Sequence, residues 1–245
     1  MVDLLFIAPH PDDEVFGAGG IFSKMAAHGK TVATLTLTRG GAGRSLGLCK
    51  QEDLPDMREK ELRASLEVLN VPHVHIWDYP DYLPDDTRGM DHRDGLQAVD
   101  FDEVVTRICT LIEELKPKAI LTFAPNGSNG HPDHVVTHKM AIAALEKSSH
   151  ELEALYYYAA EKPYQGVSRN GFLSLEDIAA LHLPATHYIP VGDYLEPKLN
   201  AMAKHKTQAL SVLMFMEHFS KRLMIESFHR ALPEHTGEAV HVEWL

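Results

Sequence analysis

Two cysteines among 245 residues, Cys49 and Cys109, are too few for a disulfide framework. The sequence therefore points to a reducing compartment and to a fold held by its core. Long apolar runs are also missing, and none approaches the ~20 residues that a membrane-spanning helix needs. The chain enters an apolar strand pattern at once, without a basic leader or a cleavable apolar segment, so no export signal is expected. Basic residues are in deficit, 23 against 35 acidic, for a formal net charge of −12. Such a surface repels phosphate backbones and anionic bilayers, which sets nucleic acid and membranes aside as partners. What remains is an ordinary apolar content of 44%, enough for one large domain spanning residues 1–245. A cytoplasmic protein is expected, with a homo-oligomer left open.

The pattern of the first half alternates strand and helix. Residues 2–8 form a continuous apolar run of strand length, the mark of a strand buried on both faces. A helix is expected over 13–28, stopped by Gly29, then a strand over 31–38. Residues 39–47 are rich in Gly and Ser and read as a loop near the site. Pro55 opens an amphipathic helix carrying Met57, Leu62, Leu66 and Leu69. A strand over 73–77 precedes a long Pro-, Asp- and Gly-rich loop over 78–95. Helix 101–115, strand 118–123 and helix 132–147, with Pro at its first turn, complete the series. This alternation predicts an α/β fold, a Rossmann-like three-layer sandwich with a mainly parallel sheet. Beyond it, strands are expected over 152–158 and 185–189, and helices over 195–210 and 214–223. Residues 164–183 form a polar insertion whose structure the pattern does not decide.

Two clusters carry chemistry. Ala8-Pro9-His10-Pro11-Asp12-Asp13-Glu14 follows the first strand, and Gly130-His131-Pro132-Asp133-His134 follows the apolar run 119–123. Open α/β sheets place their ligands at the carboxyl ends of strands. A hydrolytic zinc site uses three protein ligands and leaves a position for water, and His10, Asp13 and His134 supply a His₂Asp set of that type. Zinc is favoured, with Fe²⁺ or another divalent ion also compatible with the donors. Taken singly, each cluster also has a plainer explanation. Asp12 or Asp13 can cap the following helix, and Asp133 suits a helix N-terminus electrostatically.

The paired clusters resemble the signature of the LmbE-like/PIG-L family of zinc-dependent N-deacetylases, which act on N-acetylglucosaminyl conjugates. Further similarity lies in Thr38-Arg39-Gly40, Arg58-Glu59-Lys60-Glu61, Tyr79-Pro80-Asp81, His205-Lys206-Thr207-Gln208 and Glu226-Ser227-Phe228. The resemblance implies that His10, Asp13 and His134 bind the metal and that Asp12 is the general base. It implies that His131 is an imidazolium stabilising the oxyanion, oriented and charged by Asp133. Arg58 and Asp81 would contact the sugar or its substituent, and a small amino-sugar conjugate would be the substrate.

One position departs from part of the family, some of whose members carry a tyrosine two residues before the first histidine of the second cluster. Asn129 stands there, able to donate a hydrogen bond but not to act as a phenolic acid. Other features carry less. His134 and His138 stand four apart without the glutamate of a two-histidine zinc helix. Gly17, Gly19 and Gly20 suit close helix–sheet packing better than a phosphate loop. Two competing functions are an amidase cleaving a larger thiol-conjugate amide and an inert metal- or sugar-binding protein. Asp12 argues against the second, since binding alone needs no base beside a metal.

Overall fold

A computed structural model of the chain describes residues 1–84, 93–167 and 169–245. In chain order the elements are β1 (Leu4–Ala8), α1 (Asp13–Gly17), α2 (Gly19–Ala27), β2 (Val32–Thr38), α3 (Leu54–Val68) and β3 (His73–Tyr79). There follow β4 (Tyr82–Leu83), β5 (Arg93–Asp94), α4 (Phe101–Leu115), β6 (Ala119–Thr122), α5 (Gly127–Gly130) and α6 (Pro132–Lys147). The chain ends with β7 (Ala154–Tyr158), α7 (Leu175–Ala180), β8 (His187–Pro190), α8 (Leu195–Met202), α9 (Ala209–His218), β9 (Ile225–Leu232) and β10 (Val240–His241).

The strands β10-β8-β9-β7-β6-β1-β2-β3 form one sheet, parallel except where β9 pairs antiparallel with β7 and β8. Alternation along β1 divides the core. Leu4, Phe6 and Ala8 pack under α1, α2, α3 and α8, while Leu5 and Ile7 pack under α4 and α6. That is the expected three-layer sandwich. From β1 the chain adds β2 and β3 on one side, then crosses to add β6 and β7 on the other. The gap between the carboxyl ends of β1 and β6 is thus the switch point of the sheet, where α/β folds open a crevice.

Several expected boundaries shift, each for a local reason. The first helix is broken at Ala18, whose φ of −139° interrupts it. A Cβ on Gly17 would lie 2.5 Å from the Tyr158 ring, so glycine lets this turn sit against β7. The break exposes a second helix N-terminus, and Glu226 fills it, accepting from Gly20 N–H and Ile21 N–H at 2.8 Å each. The helix expected over 195–210 ends at Met202 because His205 turns into the core, and α9 begins only at Ala209. β9 was not foreseen: its inward residues are Glu226 and Phe228, and a buried glutamate masks the alternation. The loop expected over 78–95 contains the β4–β5 pair, and its middle, 85–92, lies outside the described residues. The insertion 164–183 contains α7, with Ser168 outside the description.

Candidate active site

The turn from β1 into α1 is tied by its own residues. The His10 backbone N–H donates to Asp13 Oδ2 at 2.9 Å, which ties the Asp13 side chain to the turn before any ligand arrives. Asp12, between them, has φ 113°, a left-handed value unusual for a residue with a Cβ. Such a conformation costs on the order of 1–3 kcal/mol and persists only where its surroundings enforce it. Asp12 N–H donates to Glu14 Oε2 at 2.9 Å, and Arg58 Nη2 lies 3.2 Å from Asp12 Oδ1 while also donating to the Pro11 carbonyl. Glu14 is fixed in turn by Ser65 Oγ at 2.7 Å and by His205 Nε2 at 2.5 Å.

The second cluster is built by α5 and α6. Gly127 has φ 59°, and a Cβ there would lie 2.9 Å from His134 Cβ. The Gly127 carbonyl accepts from His134 Nδ1 at 3.0 Å, and Phe123 stacks on the imidazole with ring centroids 3.9 Å apart. These contacts fix the tautomer, so that Nε2 offers its lone pair toward β1. His10 is treated likewise: its Nε2 faces Asp81 Oδ1 at 3.1 Å and Asp133 Oδ2 at 3.2 Å. Its Nδ1 is left facing His134 Nε2 at 3.2 Å.

Asp13 closes a triangle, with Oδ2 3.5 Å from His10 Nδ1 and Oδ1 3.5 Å from His134 Nε2. Neighbouring donors on a tetrahedral zinc, with bonds of about 2.0–2.1 Å, stand roughly 3.3–3.4 Å apart. The donor set, its spacing and the backing of each histidine by a carboxylate or carbonyl all fit a divalent ion. His131 also comes within ligand range of His10 and His134, and Asp81 and Asp133 group around His10. The second grouping lies on the hydrogen-bonded side of the His10 ring, behind the triangle.

Burial shapes the electrostatics. It raises the Asp12 carboxyl to about 7, against the pull of Arg58 and with the Asp13 charge adding to the rise. A base near neutrality is well matched to proton transfer at working pH. Burial works against charge on His10, yet Asp81, Asp13 and Asp133 together hold this imidazole well above its usual value. His131 goes the other way. Burial, with His10, His134 and Arg169 nearby, holds it well below the usual histidine value.

Three sequence expectations change here. Asp133, expected to orient and charge His131, turns its carboxylate away. Its oxygens accept from Tyr82 N–H and Leu96 N–H at 2.8 Å each and face His10, while only its backbone N–H meets His131 Nδ1, at 3.2 Å. Among the described residues no carboxylate oxygen meets the His131 ring, which sits in an aromatic setting 4.8 Å from the rings of His10, His134 and Phe172. Arg58 and Asp81, expected on the sugar, are both buried and bonded within the site. Arg58 holds Asp12 and the Gly40 carbonyl, and Asp81 holds His10 and Ala42 N–H. Asn129 Oδ1 accepts from His131 N–H at 3.2 Å, so its carbonyl shapes the loop.

Other residues of the site carry no local signature. Glu14 and His205 stood in recognised motifs without a role, and their pairing spans 191 positions. Phe172, against His131, had no signal at all inside the undecided insertion.

A doubly wound α/β sheet with a His/Asp donor triangle at its switch point describes a protein with a candidate metal centre. The chain belongs to the GlcNAc-PI de-N-acetylase (PIG-L) family, whose profile matches residues 5–145. It is 28% identical, over 89% of its length and 80% of the relative's, to 1D-myo-inositol 2-acetamido-2-deoxy-alpha-D-glucopyranoside deacetylase 1 of Saccharopolyspora erythraea. Among solved structures, the N,N'-diacetylchitobiose deacetylase of Pyrococcus horikoshii aligns with TM-score 0.64 at 19% identity, over 93% of this chain and 83% of that one. The 4-carboxy-2-hydroxymuconate hydratase of Pseudomonas putida aligns with TM-score 0.70 at 17% identity, over 98% and 100%. These two likenesses establish the fold. They also show that the fold alone does not choose the reaction.

Proposed function

We propose that this protein is a single-domain, divalent-metal-dependent N-deacetylase that hydrolyses the acetamide of a small N-acetylglucosamine conjugate in the cytoplasm. The observation that carries this reading is the donor triangle of His10 Nδ1, Asp13 and His134 Nε2 beside the buried carboxyl of Asp12. Its relative's activity on an acetamido-sugar inositol supports the substrate class. One sheet running from residue 4 to residue 241 supports a single domain. The donor chemistry favours zinc, with ferrous iron the next candidate.

An ion held by the triangle would acidify a water and polarise the amide carbonyl. Asp12 then takes the proton of the attacking water. Its backbone is left-handed, and Arg58 on one oxygen restrains the rotation of the carboxylate. His131, neutral with Nδ1 already accepting, presents an Nε2–H donor to the oxyanion that develops on the acetamide carbon. Asp133 serves this step indirectly, by orienting His10. The proton on Asp12 is returned to the departing amine, giving acetate and a free amino sugar. Asp81 and Arg58 act chiefly by holding His10 and Asp12, and the sugar meets the site over the loop that Asn129 braces.

The test pairs metal content by elemental mass spectrometry with acetate release from N-acetylglucosamine conjugates, for the wild type and His134→Ala. Near-stoichiometric zinc or iron in the wild type alone, together with acetate release, upholds the reading. A wild type still metal-free after zinc reconstitution sinks it.

A further inference from the structure

Away from the donor triangle, the sheet carries a second group of polar side chains that the proposed reaction does not use. Tyr156 on β7 stands opposite Arg230 on β9, and His187 on β8 stands opposite Phe228, two residues from Arg230 along the same strand. Strand alternation sends Phe228 and Arg230 to one face, with Tyr156 beside one and His187 beside the other. The contacts agree. The Arg230 guanidinium lies over the Tyr156 ring at 5.9 Å, and the His187 ring meets Tyr156 edge-on at 5.7 Å. His235, in the turn after β9, stands edge-on to His187 at 5.0 Å. The group sits on β7, β9 and β8, outward from β6 in the sheet and apart from the crevice between β1 and β6.

What marks this group is polar atoms without partners. Arg230 Nε is buried and has no hydrogen-bond partner, and its guanidinium forms no ion pair among the described residues. This holds although acidic residues outnumber basic ones 35 to 23 in the chain. Buried N–H groups are nearly always satisfied, so an orphaned one on a charged side chain implies a partner from outside the chain. His187 is 4% exposed, and Thr186 Oγ1 engages its Nδ1 at 2.9 Å, which leaves Nε2 without a partner among the described residues. The Tyr156 hydroxyl, on a side chain buried as deeply, has no hydrogen bond among them either. Burial, with His235, Arg230 and His229 nearby, pushes the His187 imidazole down to about 4. No carboxylate therefore offsets the guanidinium here.

A guanidinium with Nε–H and Nη–H both available presents the side of its fork, which two oxygens of one oxyanion fill. His187 Nε2 and the Tyr156 hydroxyl add two further polar positions beside it. That number suits a tetrahedral oxyanion better than a carboxylate, which has two oxygens to offer. We propose that Arg230, His187, Tyr156 and His235 form a binding site for a small tetrahedral oxyanion of the phosphate class, either the free ion or the head of a phosphate ester. The site is separate from the donor triangle, and the inference is independent of the reaction proposed there.

The test is calorimetric titration of the full chain with sodium phosphate, in a buffer free of other oxyanions, for wild type, Arg230→Gln and His134→Ala. Wild type and His134→Ala should bind one phosphate per chain alike, because phosphate drawn to a metal would be lost with the triangle. Arg230→Gln should bind at least about tenfold more weakly, the weight of a charge-assisted pair of hydrogen bonds, with an unchanged circular dichroism spectrum. Should that variant not fold, NMR of the wild type decides. Phosphate is expected to shift the His187 and His235 ring signals and to leave in place that of His229, which stacks on Tyr157 on the other face of the sheet. Glycerol phosphate titrated in parallel separates the sources. Matched affinity assigns the site to an ester's head group, binding of inorganic phosphate alone assigns it to the free ion, and either upholds the proposal. No saturable heat up to about 10 mM overturns it, as does binding lost in His134→Ala and kept in Arg230→Gln. Acetate binding as tightly as phosphate refutes the tetrahedral class.

Discussion

The chain up to Lys147 and the chain beyond it do different work in one sheet. The first part repeats strand, turn and helix, and its turns supply His10, Asp12, Asp13, Asp81, His131 and His134. The second supplies no member of the donor triangle; Phe172 packs on His131, and its other contacts support the site through Glu14, Glu61 and α2. His205 bonds Glu14, Thr207 bonds both oxygens of Glu61, and Glu226 caps α2. The family profile covers residues 5–145, close to this division. The candidate ligands thus sit on short turns off a parallel sheet, while their support is borrowed from distant sequence. Such a division lets the flanking part vary so long as it delivers the same few bonds.

On that division, substitutions in the first part should remove chemistry while leaving the fold, and those in the second should act first on stability and only weakly on chemistry. The largest kinetic effect is expected at His134→Ala, with bound metal and acetate release both falling to background while thermal unfolding stays cooperative. Equal metal in wild type and variant would break the comparison at its root. Asp12→Asn should keep the metal and lower kcat by about 10²–10⁴-fold, the range for a removed general base. Relief of the buried carboxyl should leave its stability equal to or above that of the wild type. A variant with full kcat would move the base elsewhere.

On the other side of the division, Lys198 and Glu226 form an ion pair of side chains with no exposed surface, Nζ to Oε1 at 2.7 Å. Removing one partner strands a buried charge. Lys198→Met should therefore cost about 3–5 kcal/mol by chemical denaturation, with metal affinity per folded molecule unchanged. A loss below 1 kcal/mol would mean that the two helix N–H groups on Glu226 hold it without the lysine.

The two parts also differed in how much their sequence disclosed. Parallel strands buried on both faces announce themselves as short apolar runs, and the helices 101–115 and 132–147 have caps and prolines at their ends, so those boundaries were legible. The ligand candidates were legible because a metal needs several donors close together, and here they come in two short clusters at strand ends. What stayed hidden depends on long-range pairing. No local pattern says that Glu14 will meet His205, or that Asp133 will face His10 in place of its neighbour His131. β9 hides for the same reason: the lysine that makes its buried glutamate tolerable lies on another element.

The smallest effect expected is a pH dependence at that hidden pair. Burial opposes a charge on His205, yet Glu14 and Asp12 hold its imidazole above the usual value. The folded protein therefore binds this proton more tightly than the unfolded chain does. The stability this contributes is fully present below the unfolded value of about 6.5 and is lost as pH rises through the higher folded value. Urea unfolding of the wild type and His205→Gln across pH 5.5 to 9 should show a wild-type advantage that is constant on the acid side and shrinks toward the alkaline side. Because Glu14 also holds the Asp12 N–H, the same variant should lower kcat modestly with little change in KM. A stability difference that grows with pH would show that His205 is neutral in the folded protein and that its bond to Glu14 carries no charge. The support from the second part would then be a matter of shape alone.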